Sequence, residues 1–203
     1  MPYPLNDTQQ EPSEAAWLRE CGRLRWCPSP NQAPRPQADD ISLLVLHNIS
    51  LPPGEFGGNW IDDLFCNRLD PEAHPYFAGI APLKVSAHLL IRRDGGMVQY
   101  VSLSQQAWHC GDSSFEGRRG CNQFSLGIEL EGVDDAAYDG RQYRTLGRVV
   151  KRLLMKYPLI TRERIVGHSD IAPGRKSDPG PAFDWSRLSA ALAKPDIKRM
   201  NER

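Results

Sequence analysis

The feature that most restricts how this chain can fold is a short apolar run, Ile41-Ser-Leu-Leu-Val-Leu46, ending at His47-Asn48. It is β-capable and lacks the polar alternation of a half-exposed strand. It therefore reads as a strand buried on both faces, which needs neighbours beside it and cover above and below. The rest of the chain can supply both. Residues 85–92 and 97–101 flank Asp94-Gly95-Gly96, a tight-turn signal, and predict a hairpin. Residues 124–131 alternate, with Phe124, Leu126, Ile128 and Leu130 on one face and Ser125, Gly127, Glu129 and Glu131 on the other. Residues 60–65 read as a short helix. Residues 142–157 form a longer one, with Tyr143, Leu146, Val150, Leu153, Leu154 and Tyr157 in one stripe and Pro158 as its stop. Ile165-Val166 opens a last short strand, and Asp184 caps a closing helix. Strand, helix, hairpin, strand, helix, strand, helix predicts an α/β (α+β) fold. It would be a single domain, with a central mixed β-sheet packed by α-helices and long ordered loops forming a groove.

The first 40 residues differ. From Cys27 to Pro36 the chain reads CPSPNQAPRP, which excludes helix and disfavours a central strand. A short helix over residues 13–25, with Ser13 as N-cap, is expected before it. The expected layout is a Pro-rich arm, 1–40, wrapping a main domain, 41–192, with a tail at 193–203. The 203 residues carry 25 Lys plus Arg and 25 Asp plus Glu, for a net charge of zero. That balance argues against a strongly basic nucleic-acid binder or a polybasic membrane reader. No apolar run approaches the ~18–20 residues of a membrane-spanning helix, and residues 1–10 are polar, without the pattern of an export signal. Five cysteines (Cys21, Cys27, Cys66, Cys110 and Cys121) fit no zinc-ribbon spacing. They read as reduced thiols, with a Cys110–Cys121 disulfide as the minor alternative. The expectation is a cytoplasmic monomer with no nucleic-acid or membrane partner.

Chemistry would gather at strand ends, where α/β proteins build their sites. His47 ends the first buried strand and His168 ends the last. Ten residues after His168, inside Lys176-Ser-Asp-Pro-Gly-Pro181, stands Asp178. Two imidazoles and a carboxylate are a usual ligand set for a catalytic zinc with one open position. On the residues alone each also has a structural reading. A strand-end histidine can be a hydrogen-bonded structural residue, and Asp178 before proline can form a turn. Glu129 and Glu131 can be a solvated sheet surface, and Trp108-His109 an aromatic plug in a loop.

Five segments carry a resemblance: Val45-Leu-His-Asn-Ile-Ser-Leu-Pro-Pro-Gly-Glu-Phe56, His74-Pro-Tyr-Phe-Ala-Gly-Ile80, Gly127-Ile-Glu-Leu-Glu-Gly132, Gly167-His-Ser-Asp-Ile-Ala-Pro173 and Lys176-Ser-Asp-Pro-Gly-Pro181. Over roughly residues 40–190 the chain resembles the N-acetylmuramoyl-L-alanine amidase family. The likeness is to the cytoplasmic zinc amidases that cleave 1,6-anhydro-N-acetylmuramyl peptides in cell-wall recycling. Phage-lysozyme-type amidases and animal peptidoglycan-recognition proteins belong to the wider group. The resemblance implies one zinc ion on His47, His168 and Asp178, Glu129 as general base, and Lys176 as stabiliser of the tetrahedral intermediate. It places Asn48, Trp108, His109 and Arg175 along the substrate groove. Arg175, Arg93 and Lys84 could meet the carboxylates of a stem peptide, although Arg93 and Lys84 also read as solvated surface charges. Phage-type and animal relatives tend to carry Cys where this chain has Asp178, and Ser177 stands where Thr is more usual. The implied substrate is a small muropeptide. The implied consequence is a lower muropeptide signal in bacteria whose β-lactamase is induced by it.

The sequence leaves three rival readings. A muramyl-peptide-binding module without activity would be expected to have lost a metal ligand, and here all three are present. An iron oxygenase built on His168-Ser-Asp170 needs a second histidine further along the chain, and His168 is the last. A structural zinc domain prefers four protein ligands, often Cys, and only three residues offer themselves.

Overall fold

The computed structural model describes residues 10–194. The reading of residues 1–9 as polar and the tail from 195 onward lie outside them. In chain order the elements are α1 (Ala15–Arg19), β1 (Leu24–Trp26), β2 (Gln32–Pro34), β3 (Leu43–Ile49), α2 (Trp60–Phe65), α3 (Phe77–Ile80), β4 (Leu89–Ile91), β5 (Met97–Gln99) and β6 (Gln105–Ala107). They continue with β7 (Ser114–Phe115), β8 (Arg118–Arg119), β9 (Ser125–Glu131), α4 (Gly140–Lys156), β10 (Ile165–Gly167), α5 (His168–Ile171) and α6 (Trp185–Ala193).

The apolar run becomes β3, which lies inside a six-stranded sheet of order β1-β5-β4-β9-β3-β10. Strands β4, β9, β3 and β10 are mutually parallel, whereas β4 and β5 pair antiparallel as the predicted hairpin. The fold is α/β with a mixed central sheet. The parallel set sends the C-terminal ends of β3, β9 and β10 to one edge, and that edge carries the chemistry. The strand runs further than the apolar pattern does. His47 and Asn48 are its fifth and sixth residues, because β9 pairs with it in register through Asn48↔Leu130 and Ile49↔Glu131.

One face of the sheet is closed by α4 and α6. Leu44, Leu46, Leu89, Ile91, Leu126, Ile128 and Leu130 pack against Tyr143, Leu146, Val149, Val150 and Leu153 of α4 and Leu188 and Leu192 of α6. Each such side chain contributes about 1.5–3 kcal/mol when fully buried. Helix α4 starts at Asp139, whose carboxylate accepts from Arg141 N at 2.8 Å, while Gln142 Oε1 accepts from Asp139 N at 3.0 Å. The Gln142 amide also donates to the carbonyls of Ile91 and Glu131, tying the helix to the ends of β4 and β9.

Residues 10–36 differ in detail from their sequence pattern. The helix covers only Ala15–Arg19, and Ser13 does not cap it; Glu14 is the N-cap residue and makes no capping bond. Gly22 stops propagation, since glycine weakens a helix, and residues 24–26 instead add a parallel strand to the edge of β5. The Glu14 carboxylate reaches Leu103 N (2.6 Å), Ser102 Oγ (2.8 Å) and Gln99 Nε2 (3.2 Å). Arg35 enters the interior from the same segment. Its guanidinium donates to the carbonyls of Ser125 (2.9 Å), Gln123 (3.0 Å), Leu103 (3.3 Å) and Asn122 (3.3 Å). Burial pushes its pKa down to about 10, so it stays charged at neutral pH. These bonds brace both ends of the 103–125 segment that carries Trp108 and His109 to the site. All five cysteines are buried and outside any disulfide, so no Cys110–Cys121 bridge forms.

Candidate active site

Strand register brings the first two groups together. His47 of β3 stands opposite Glu129 of β9, on the face turned away from α4. Gly167, the last residue of β10, pairs with Leu46, so His168 at the start of α5 lands beside His47. The loop after α5 returns and is pinned where Ser169 N donates to Asp178 O at 3.0 Å and Tyr138 Oη to Pro179 O at 2.7 Å. Gly180 lets the loop touch Asp134, since a Cβ there would stand 2.3 Å from the Asp134 Cα. This places Asp178 over both imidazoles.

Three ligand atoms converge. His47 Nδ1 lies 3.0 Å from His168 Nδ1, and Asp178 Oδ2 lies 3.1 Å from each. Tetrahedral ligands about 2.0 Å from a zinc ion would be separated by roughly 3.3 Å, so the triangle has the right size for one small cation. Hydrogen bonds from behind leave lone pairs free to face inward. His168 Nε2 donates to Cys110 O at 3.0 Å, so its Nδ1 can be bare. Burial pushes the pKa of His47 down to about 4, against the pull of Asp178, which keeps the imidazole neutral and able to ligate. Burial would raise the pKa of Asp178, but the hydrogen bonds of His168 and His47 outweigh it and hold the carboxylate ionised well below its usual range. His47, His168 and Asp178 fit a metal ion both in donor chemistry and in spacing.

Glu129 and Glu131 share a face of β9, yet neither is solvated, and they differ. Glu131 Oε1 accepts from Gly57 N (2.6 Å) and pairs with Arg92 (3.1 Å), while Oε2 accepts from Arg93 N (3.0 Å). The Oε2 atom of Glu129 is buried with no partner. Burial, reinforced by the charge of Asp178 and opposed by Lys176, raises the Glu129 pKa well above its ordinary value. An unpaired buried carboxylate oxygen is costly and uncommon, and this one belongs to a residue that lines the cavity holding the triangle.

That cavity has a volume of about 600 Å³, and its walls include His47, Asn48, Trp108, Glu129, Lys176 and Asp178. An apolar side formed by Leu51, Leu64, Phe65, Ile80 and Val85 completes it. The residues singled out in the sequence are not all gathered here. Lys176 is exposed at the rim. Asn48 is on the wall, but its amide donates to Asp134 Oδ1 at 2.7 Å. Asp134, an acid in the groove, was not foreseen; no local pattern marks it. Arg175 borders the cavity while its guanidinium donates to the carbonyls of Cys110 and Asp112. Lys84 is exposed between Leu83 and Val85, which line the cavity, and is not itself on the wall. Arg93 faces a different cavity, with its guanidinium 4.8 Å above the Phe56 ring and bonded to Ala137 O. His109 is at the floor, behind His47.

The N-acetylmuramoyl-L-alanine amidase family model matches residues 37–181. The 1,6-anhydro-N-acetylmuramyl-L-alanine amidase AmpD of Citrobacter freundii is 55% identical over 187 residues, covering 92% of this chain and 98% of that protein. The crystal structure of a selenomethionine derivative of AmpD gives a TM-score of 0.82 at 58% identity, covering 84% of this chain and 94% of that one. The N-acetylmuramyl-L-alanine amidase AmiD of E. coli was solved with the substrate anhydro-N-acetylmuramic acid-L-Ala-D-γ-Glu-L-Lys. It gives a TM-score of 0.57 at 28% identity, covering 83% of this chain and 65% of that one. The sheet, the arrangement of the cavity and these likenesses agree: the chain belongs to the N-acetylmuramoyl-L-alanine amidase family, hydrolases that act on an amide bond.

Proposed function

We propose that this protein hydrolyses the amide between the lactyl group of 1,6-anhydro-N-acetylmuramic acid and the L-alanine of its stem peptide, using one zinc ion. The observation that carries this reading is the convergence of His47 Nδ1, His168 Nδ1 and Asp178 Oδ2 in a cavity whose wall includes Glu129, a carboxylate with an unpaired buried Oε2. Zinc held by His47, His168 and Asp178 would supply a Lewis acid and lower the pKa of water to about 7. Glu129 takes the proton from the attacking water as the bond from oxygen to the lactyl carbonyl carbon forms. It returns that proton to the alanine nitrogen as the carbon–nitrogen bond breaks. Its raised pKa suits both steps. The Lys176 ammonium offsets the negative charge that develops on the carbonyl oxygen. Trp108 offers a flat face to the sugar ring, and Asn48 and His109 help shape the floor. Arg175 frames the wall through the Cys110 and Asp112 carbonyls, and the exposed Lys84 would meet a stem carboxylate outside the cavity.

Five buried cysteines outside any disulfide fit a reducing compartment, and we place the enzyme in the cytoplasm as a monomer acting on soluble turnover products. Among the described residues no helix is long and apolar enough to cross a membrane. The test is mass spectrometry of anhydromuramyl tripeptide incubated with the protein, with and without a chelator. Release of anhydromuramic acid and free tripeptide, abolished by the chelator and restored by zinc, is the expected result. A zinc-loaded protein that binds the muropeptide without cutting it would make this a recognition module instead.

A further inference from the structure

The two histidines of the triangle are held from behind in different ways. His168 Nε2 donates to a main-chain carbonyl, Cys110 O, an acceptor whose role cannot change. His47 Nε2 lies 2.9 Å from Nδ1 of His109, and another imidazole can play either part. If His109 carried its proton on Nδ1, His47 would accept at Nε2 and hold its own proton on Nδ1. That is the atom facing His168 and Asp178, and a protonated nitrogen there cannot ligate. The ligating tautomer of His47 therefore needs a bare Nδ1 on His109 and a proton on His109 Nε2. The Ser125 Oγ lies 3.3 Å from that Nε2 and can accept it.

The surroundings hold the ring in this position. Gly127 lies directly beneath, where a Cβ would come within 2.5 Å of His109 Nδ1. The His88 ring packs edge-on, with centroids 5.6 Å apart, and is itself fixed by Gly127 N donating to its Nδ1 (2.9 Å) and by its Nε2 donating to Gln105 O (3.0 Å). Cys110 Sγ is 3.2 Å from His109 Nδ1, but a thiol is a weak donor, and Ser125 Oγ stands 3.7 Å from the same sulfur. We infer that His109 is a positioning residue that, backed by the Ser125 hydroxyl, locks His47 in its metal-ligating tautomer. The inference rests on the metal reading above. It gives His109 a task behind the metal in addition to a place on the cavity floor.

The test is zinc affinity of the full chain, measured by competition with a chromophoric chelator. His109→Leu should weaken zinc by roughly 10- to 100-fold, the range found when the partner behind a ligating histidine is lost. His109→Asn can set its side-chain oxygen near the position of Nδ1 and should restore affinity to within about threefold of the original. Ser125→Ala removes one buried oxygen, keeps the fold, and should weaken zinc by a few-fold. Long-range ¹H–¹⁵N correlation of the zinc-loaded protein should show His109 protonated at Nε2. Equal affinity in the Leu variant, a loss in Asn as large as in Leu, unchanged affinity in Ser125→Ala, or a proton on His109 Nδ1 would each overturn the inference. Should the Leu variant fail to fold, Asn, Ser125→Ala and the tautomer measurement still decide it. An original protein that takes up no zinc would instead overturn the metal reading, which separates the two failures.

Discussion

The two faces of the central sheet are built from alternate residues of the same strands and obey different rules. On the face under α4, Leu44, Leu46, Ile128 and Leu130 fill space and need nothing more than density. On the opposite face the same two strands carry His47, Glu129 and Glu131, all of them buried. Each polar atom there must find a partner or be given a task. Glu131 is saturated by Arg92 and two main-chain amides, whereas Glu129, on the wall of the cavity that holds the triangle, is left with a bare oxygen. The α4 face is apolar packing, whereas the other combines the packed Leu43 and Val45 with the unpaired carboxylate oxygen of Glu129.

The comparison breaks most sharply at Glu129. Glu129→Gln should lower turnover by about 10²- to 10⁴-fold, since the amide cannot take up the proton. Zinc content, measured by elemental analysis, should stay the same. Bound metal falling together with activity would move Glu129 from proton shuttle to ligand or support.

Leu46→Ala asks the same of the apolar face. It should cost about 2–5 kcal/mol of stability in urea denaturation while leaving zinc stoichiometry and turnover per folded molecule near their original values. A variant that folds stably yet turns over poorly would show that the two faces are not separable.

Gly127→Ala puts a methyl group on the site face, 2.5 Å from the His109 ring. Overpacking of this kind costs about 1–3 kcal/mol, and zinc binding should weaken with it. A variant as stable as the original, with zinc affinity intact, would mean that the ring has room to retreat.

The site face also carries a pH dependence. Burial depresses the folded-state pKa of His47 to about 4 and of His88 to about 3, and holds that of His109 well below its ordinary value. These imidazoles stay neutral in the folded protein while the unfolded chain protonates near pH 6.5. Their contribution is complete above that pH and is lost as pH falls through it toward the folded values. Each imidazole costs up to about 1.4 kcal/mol per pH unit in that window. Denaturation midpoints of the metal-free protein at pH 7.5 and 5.5 check this; a flat response would show that the buried imidazoles relax or hydrate.

The apolar strand, the hairpin at Asp94-Gly95-Gly96, α4 and α6 were legible because each rests on local signals, namely periodicity, turn residues and caps. Residues 24–36 were legible in part. Pro-rich residues ruled out helix, but whether 24–26 would pair depended on β5 offering a free edge, which lies more than 70 residues away in the chain. The metal residues could be nominated from chemistry and resemblance. The different fates of Glu129 and Glu131 could not, because both stand on the same side of one strand. Arg93 and Lys84 were nominated by charge alone, and charge does not say which cavity a side chain faces.

By itself the sequence determined which segments alternate, which are apolar throughout, where helices begin and stop, and which donor types are present. Those properties follow from backbone geometry and side-chain chemistry over a few residues. Tertiary structure alone decided that β10 pairs with β3, so that His168 reaches His47 from 121 residues away. It also decided that Asp178 closes over both, and that His109 stands behind one of them. Strand register and burial are cooperative outcomes of the whole core, and desolvation is what keeps the His47 and His109 imidazoles neutral and raises the pKa of the Glu129 carboxyl group.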